Sequence, residues 1–285
     1  MSHDSRRRIA AVLLALAVPG AAFAHPGSGI AVDRQGNVYF VDTGEGVWKM
    51  APDGKLTAHP GPAFHWLALD LDDRFARTKL PSTATSEMRK AGKSPTVLLS
   101  SDYPIAIGGD GALYYAEPGA GERLSLVRIA PGGARSVRAL LPAAMSSGPL
   151  RWLNGIAAGA GGSILFTDNA AIHRVASDGT LTTVAQGVQV PGCVAPPSFR
   201  DELLPMLRGL AEAPDGTIWV AATGCSTLLR VSPAGEVAVA LRAEAPWSPT
   251  GVALSEAGVQ ILEYLHTAGE DRGEWVPRVR RLAAE

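Results

Sequence analysis

A phrase repeated six times along the chain opens each time with a different residue, and several of these residues could do chemistry. After the opening residue come two or three apolar residues, a tight turn and a second apolar strand. Histidine is the usual general base near neutral pH, and arginine can hold an anion or a developing oxyanion. His65 and Arg208 are therefore the candidate catalytic residues, with Tyr103 or Asn154 orienting a substrate. The opening residues are Ser28, His65, Tyr103, Asn154, Arg208 and Thr250.

A second set of side chains follows fourteen residues after the first, where the second strand of each unit ends. Glu263 and His266 flank the last of these ends. Acids at strand ends often bond the neighbouring turn instead, and this is the alternative for Asp42 and Asp168. Arg208 is harder to explain locally, because an unpaired arginine in a channel is costly unless an acid or an anionic ligand meets it. The residues of this second set are Asp42, Lys79, Glu117, Asp168, Ala222 and Tyr264.

The elements that position these residues repeat with the phrase. Turns such as Gln35-Gly36 and Asp215-Gly216 suit the positive φ of hairpins, and strands rich in β-branched and aromatic residues follow them. A further strand, a second turn such as Asp178-Gly179 and a fourth strand complete each unit. Four antiparallel strands repeated at about forty residues indicate a propeller blade. We therefore predict an all-β, six-bladed β-propeller, in which the opening residues share one end of the central channel.

Two of the predicted blades are irregular. In the second, which begins at His65, Asp73 replaces the turn glycine, residues 74–79 form the second strand and residues 95–100 the fourth. The last blade ends with its third strand at residues 275–282, so we predict three strands there, with Pro277 and nearby arginines protecting the edge. The predicted blades are 25–60, 61–101, 102–146, 147–187, 205–243 and 246–285, with an insertion at 188–204.

Two kinds of phrase resemble those of known propellers. Gly29-Ile30-Ala31-Val32-Asp33 and Pro214-Asp215-Gly216 resemble the NHL repeat. Residues 153–157 followed by 164–168 resemble the senescence-marker-protein/gluconolactonase propellers. This resemblance implies a divalent metal, usually calcium, held over the channel by acid and amide side chains and polarising a lactone carbonyl.

The metal ligands that the resemblance implies are mostly replaced in this chain. Only Asn154 matches, whereas Ser28 stands at the place of the first acid and Tyr103 at that of another amide. Arg208 stands where the family has its key acid, and a guanidinium repels a metal ion. Calcium or another divalent metal is therefore disfavoured, and any hydrolase activity would need different site chemistry.

The N-terminal sequence and the net charge limit where the protein is located and what it can bind. Residues 1–24 indicate a signal peptide, because Arg6-Arg7-Arg8 precede an apolar run and Ala22-Phe23-Ala24 is a small-x-small cleavage site. Sec export and twin-arginine export both remain open, and either leaves a periplasmic or secreted chain without a membrane segment. The net charge of -1 argues against nucleic acid as a partner.

The two cysteines, Cys193 and Cys225, favour a disulfide because the chain is predicted to be exported. Two separate buried thiols are the alternative. The insertion 188–204 precedes Arg208, so it is expected at the same end of the channel. It would be either a roof over the site or a surface loop held by the disulfide.

The leading functional interpretation is a propeller that binds a small or peptide-like ligand at one end of its channel, an anionic one if Arg208 holds it. A lactonase or ester hydrolase and a protein-interaction scaffold are the alternatives. His65 is then either a base or a hydrogen-bonded channel residue. The candidate ligand-binding residues are Ser28, His65, Tyr103, Asn154, Arg208, Thr250, Glu117, Asp168 and Glu263.

Overall fold

The computed structural model describes residues 26–60, 64–91, 94–119, 123–142, 153–194, 204–267 and 274–283. The predicted signal peptide, and residues 195–203 of the predicted insertion, lie outside these ranges. The described residues form six separate sheets around a channel, which confirms the predicted all-β propeller. Within these ranges, two 3-10 helices of three residues each, Ala160–Gly162 and Thr223–Cys225, interrupt the strands. Among the described residues there is no helix with the length and apolarity needed to span a bilayer.

The strands divide into blades in the order of the sequence, and the first strand of every blade is the innermost. The strands are β1 (Ile30–Val32), β2 (Val38–Asp42), β3 (Gly46–Met50) and β4 (Leu56–Pro60); β5 (Trp66–Asp70), β6 (Glu87–Lys90) and β7 (Val97–Ser101); β8 (Ile105–Ile107), β9 (Leu113–Pro118), β10 (Leu124–Ile129) and β11 (Arg135–Leu140); β12 (Gly155–Ala158), β13 (Ile164–Thr167), β14 (Ile172–Val175) and β15 (Leu181–Ala185); β16 (Leu207–Glu212), β17 (Ile218–Ala222), β18 (Thr227–Val231) and β19 (Val237–Arg242); β20 (Trp247–Ser255), β21 (Gly258–Thr267) and β22 (Glu274–Leu282).

The six inner strands contact one another in sequence order, and β20 contacts β1, so the ring is closed. Four blades carry glycine directly after the opening residue. A Cβ atom added to Gly29, Gly155, Gly209 or Gly251 would lie within 3.0 Å of backbone atoms of the next inner strand. Glycine is therefore required at these positions because adjacent backbones approach too closely for a side chain. The apolar core fills the spaces between blades, since both faces of each blade are covered.

The second blade corrects the predicted register. Its strand order is β5-β7-β6, so the chain passes outward to β6 and returns through β7 to pair with β5. Residues 74–79 form no strand. The run predicted as the fourth strand, residues 95–100, corresponds to β7, which occupies the second position from the channel because it pairs directly with β5. The fully buried carboxylate of Asp70 explains the difference, because it accepts hydrogen bonds from Arg74 Nε at 3.0 Å and from the Phe75 N–H at 2.8 Å. These bonds hold the chain in a turn where a strand was predicted.

Two other predictions for irregular blades are confirmed. Asp73 has a φ of 58°, close to the 77° of Gly36, so an aspartate does take the place of the turn glycine. The last blade consists of β20, β21 and β22 within the described residues. Pro277 lies in the middle of the outermost strand, where a missing N–H does no harm to an edge.

Candidate functional site

The opening residues of the six blades lie at one end of the channel, where the inner strands begin. The N–H groups of Ser28 and Gly29 both donate to the carbonyl of His65, at 2.7 and 3.0 Å, and join the first two blades there. Ser28, Asn154 and Thr250 are buried, His65 and Arg208 are half-buried, and Tyr103 is 46% exposed. We call this end of the channel the ring end, and the opposite end, formed by the first turns of the blades, the turn end.

Arg208 occupies a β-bulge at the ring end. Leu207 pairs with Ala222 and Leu210 with Val220, so Arg208 and Gly209 on β16 lie opposite a single residue of β17. The hydroxyl of Thr167, on the neighbouring blade, donates to the Arg208 carbonyl at 2.9 Å. Bulges redirect a side chain and are common beside functional sites. The bulge therefore places Arg208 differently from the alternating side chains of a regular strand.

The Arg208 guanidinium has no carboxylate partner among the described residues. Burial lowers the pKa of Arg208 to about 10, and the influence of Tyr264 offsets this only in part. Tyr264 is itself buried, its hydroxyl donates to the Val41 carbonyl at 2.7 Å, and burial raises the pKa of its phenol. A phenol that stays neutral supplies no counter-charge. Arg208 is thus a half-buried cation whose charge the described protein leaves uncompensated.

Asp168, one of the predicted ligand-binding acids, is held by its own blade. Its carboxylate accepts hydrogen bonds from the N–H groups of Ala170 and Ala171, at 2.9 and 2.7 Å, and lies 3.2 Å from His173 Nε2. Burial alone would raise the pKa of Asp168, but the His173 contact and the backbone bonds outweigh it and lower the pKa. This carboxylate therefore stabilises the turn after β13 and leaves Arg208 unpaired.

The other two acids of the second set, Glu117 and Asp42, also have partners. Glu117 accepts a hydrogen bond from the Tyr115 hydroxyl at 2.8 Å and forms an ion pair with Arg135. Asp42, at the equivalent end of β2, accepts from the Gly44 N–H at 2.8 Å. The Asp42 bond is the local backbone contact that strand-end acids commonly make, whereas Glu117 is held by two side chains of its own blade.

Glu263 is fully buried beneath two arginines of the neighbouring strand. Arg278 Nε donates to one carboxylate oxygen at 2.6 Å, and Arg280 donates to the other. The Arg278 guanidinium also lies 4.0 Å from the centre of the Trp247 ring. Glu263, the neighbour of Tyr264 in sequence, therefore joins β21 to β22.

Asp102 is a ring-end acid that the sequence analysis missed. Its Oδ1 atom lies 3.2 Å from His65 Nδ1, with 27% of the His65 side chain and 52% of the Asp102 side chain exposed. Asp102 directly follows β7, so it occupies the place that the predicted register assigned to Lys79, which lies exposed in the irregular segment after β5. The sequence did contain a signal, because the apolar run at 97–99 is soon followed by the acid Asp102. The prediction missed it because it took residues 74–79 as the second strand of this blade.

Asn154, the remaining metal-ligand candidate, donates from Nδ2 to Asn169 Oδ1 at 2.8 Å. The part of the chain that the structure describes contains no group of three His, Cys, Asp or Glu side chains placed to hold a metal ion. Thr250 donates weakly to the Leu262 carbonyl, at 3.4 Å. With a cation at position 208 and the ring acids held elsewhere, these residues do not fit the calcium site that the family resemblance implies.

A cavity of about 280 Å³ occupies the channel and is lined by the inner strands of all six blades. Its lining side chains are apolar except Ser28 at the ring end and Glu212 at the turn end. Glu212 is paired with Arg174 at 2.7 Å, whereas the buried Ser28 hydroxyl has no hydrogen-bond partner within the described structure. Arg208 does not line the cavity, but its neighbour Gly209 does. The open space of the channel therefore extends from the ring end towards the turn end.

The predicted disulfide between Cys193 and Cys225 is present, with Cα atoms 4.8 Å apart. Cys225 ends the second 3-10 helix, whose first N–H donates to the Met206 carbonyl at 3.1 Å. Met206 lies two residues before Arg208, so the disulfide and the helix hold the approach to the bulge. Whether the insertion covers the site stays a prediction, because its central residues are outside the described ranges.

Comparisons with known proteins identify the fold. No protein-family model matches the chain, and no curated protein matches it in sequence. Among solved structures, the calcium-binding protein regucalcin from Agrobacterium tumefaciens is 18% identical, with 86% of this chain and 83% of that chain covered and a TM-score of 0.54. A streptogramin B lyase is 16% identical, with 93% and 86% covered and a TM-score of 0.51. Virginiamycin B lyase from Staphylococcus aureus is 17% identical, with 91% and 85% covered and a TM-score of 0.49. The chain is therefore a six-bladed β-propeller with the fold of the regucalcin and streptogramin B lyase structures.

Proposed function

We propose that this propeller binds a small or peptide-like anionic ligand at the ring end of its channel, with Arg208 holding the negative charge. The observation that supports the proposal is the half-buried Arg208 guanidinium, which has no carboxylate partner among the described residues. Partial burial of an unpaired cation lowers stability, and proteins retain such groups mainly where a ligand completes them. A carboxylate or phosphate would accept two parallel hydrogen bonds from the guanidinium.

The location of the protein is part of the same proposal. The disulfide fits an oxidising compartment. Together with the signal peptide predicted for residues 1–24, it supports export of the mature propeller. The ligand would then be one that occurs outside the cytoplasm.

Replacing Arg208 by glutamine tests the proposal directly. We expect Arg208→Gln to weaken the binding of butanoate and inorganic phosphate about 10- to 100-fold, because a charge-assisted hydrogen bond is lost. Isothermal titration calorimetry measures these affinities. Arg208→Lys should lose less affinity than Arg208→Gln, because lysine keeps the positive charge. Without ligand, the Arg208→Gln variant should melt at the same temperature as the parent protein or higher, since an uncompensated cation has been removed.

The matched control is Arg34→Gln, which removes an arginine from the turn end. Arg34 is 62% exposed and already paired with Asp72 at 2.7 Å, so anion binding should not change. If neither anion binds the parent protein, or if both variants bind equally well, the proposed function is wrong. A lower melting temperature for Arg208→Gln would indicate instead that the guanidinium has a structural role.

A second candidate function, ester or lactone hydrolysis, is favoured by the pairing of His65 with Asp102 at the same end of the channel. Asp102 would orient the imidazole, and the other ring nitrogen would take a proton from a water molecule. The resulting hydroxide would add to the carbonyl carbon while Arg208 stabilises the oxyanion. Collapse of this intermediate would break the bond to the leaving oxygen, which would take the proton from the imidazolium.

Hydrolysis of p-nitrophenyl butanoate and δ-valerolactone tests this second function. We expect His65→Ala to lower kcat about 100-fold or more if the pair acts as a base. The matched control is His173→Asn, because His173 lies at the same 3.2 Å from an aspartate but on β14, away from the channel. No turnover by the parent protein above buffer, or equal turnover by both variants, would exclude the hydrolase.

A further inference from the structure

We infer that the anion is amphiphilic: its charged group is held at the ring end by Arg208 and its apolar chain lies in the channel cavity. The inference rests on the proposed function, because it uses the same arginine. It adds the substrate class, a medium-chain carboxylate or a molecule with an equivalent alkyl or acyl tail.

The cavity wall carries the first part of the inference. The fourth residue of the repeated phrase, counted from the opening residue, is alanine in all six blades, and all six alanines line the cavity. Small side chains at this level keep the channel open, and isoleucine, leucine and valine side chains surround them. A space with such walls favours apolar groups over ions. The six residues are Ala31, Ala68, Ala106, Ala157, Ala211 and Ala253.

The second observation concerns the ring end of the cavity, where it comes close to Arg208. Ser28 and Gly209 line the ring end of the cavity, and Gly209 belongs to the same bulge as Arg208. Arg208 lies close enough to Tyr264 for that phenol to influence its pKa, and the Tyr264 hydroxyl lies beside Gly27, next to Ser28. The guanidinium is therefore on the side of the ring where the cavity ends.

The Ser28 hydroxyl supplies a polar group at this junction. Ser28 is only 3% exposed, and its Oγ atom has no hydrogen-bond partner within the described structure. Buried hydroxyls in proteins are normally hydrogen-bonded. A carboxylate oxygen at the top of the cavity would accept this hydrogen bond while Arg208 neutralises its charge.

The length of the channel limits the tail. The cavity follows the first inner strand from Ser28 to Val32, and four residue steps of a strand span roughly 13 Å, enough for an alkyl chain of about ten carbons. At the turn end the cavity meets the Glu212 carboxylate, which is already paired with Arg174. A longer tail would leave the apolar walls there and gain nothing further.

Titration calorimetry with butanoate, hexanoate, octanoate, decanoate and dodecanoate tests the inference. We expect affinity to rise about fourfold for each added methylene and to level off near ten carbons. Arg208→Gln should lower the affinity for every carboxylate by the same factor and leave the affinity for 1-octanol unchanged. Ala211→Leu, which narrows the channel, should keep butanoate affinity but make the plateau begin at a shorter chain. Ala238→Leu, on the exposed strand β19, is the matched control and should change nothing.

The outcomes separate the inference from the proposed function. If all carboxylates bind equally and Arg208→Gln weakens them all, the anion site stands and the apolar tail is excluded. If 1-octanol binds as tightly as octanoate, regardless of Arg208, the cavity binds neutral molecules and both proposals fail. If Ala211→Leu does not fold, as judged by circular dichroism, the chain-length series on the parent protein decides by itself.

Discussion

Replacing Gly251 by alanine is expected to lower the free energy of unfolding by about 2 to 3 kcal/mol, because it forces a methyl group into a closed ring of strands. The added Cβ would lie within 3.0 Å of the Ser28 carbonyl oxygen, and Ser28 directly precedes the segment that leads into the next inner strand, β1. Backbone atoms cannot rotate aside as the end of a side chain can. Because β20 contacts β1 to close the ring, a shift at this joint must also be taken up by the other blades.

Urea unfolding, followed by tryptophan fluorescence, measures this loss. Gly132→Ala is the matched control, because Gly132 has no atom within 4 Å of an added Cβ and does not have positive φ. An alanine there should leave stability within about 0.5 kcal/mol, or raise it slightly by restricting the unfolded chain. Equal effects at the two positions would show that the glycines do not set the spacing of the inner strands.

Replacing Glu263 by glutamine is the second large expected effect, a loss of about 2 to 4 kcal/mol. The carboxylate is fully buried, and the two arginines that hold it, Arg278 and Arg280, are each about a third exposed. Glutamine keeps the shape but removes the charge, so two neighbouring cations on β22 would be left beside an uncharged amide on β21. Breaking a buried ion pair from one side is costly because the remaining charge is left uncompensated.

The control is a pair of similar length on the surface. Arg34 and Asp72 are 2.7 Å apart but 62% and 41% exposed, so Asp72→Asn should lower stability by less than about 1 kcal/mol. Thermal melting at low and at high salt compares the two variants. If Glu263→Gln lowers stability no more than Asp72→Asn does, burial does not strengthen the ion pairs of Glu263 with Arg278 and Arg280. Glu263 would then be a candidate ligand-binding residue again.

Features that depend on neighbours along the chain could be predicted from sequence. Apolar alternation, the turn glycines and Asp73 in place of one of them are local, so they indicated six blades and a three-stranded last blade. The spacing also indicated that Ser28, Asn154 and Arg208 would share one end of the channel. A disulfide between the chain's two cysteines followed from the predicted export.

Features that depend on contacts between blades could not be predicted in this way. The second blade has too weak a pattern to show that β7 inserts between β5 and β6, because a buried Asp70 turns the chain back. For the same reason, the contact between Asp102 and His65 was not predicted. The partners of Glu263 and Asp168 are set by side-chain reach across strands, which spacing does not reveal.

The repeated phrase by itself determined the propeller and its ring of opening residues, since a unit with two apolar faces is stable only when stacked on copies of itself. Only the tertiary structure decided which of those residues is left with an uncompensated charge. The acids that spacing placed near Arg208 are taken by His173, Arg135 and the two arginines of β22. A charge is compensated by whichever group lies within a few ångströms, and that distance is a property of the folded chain.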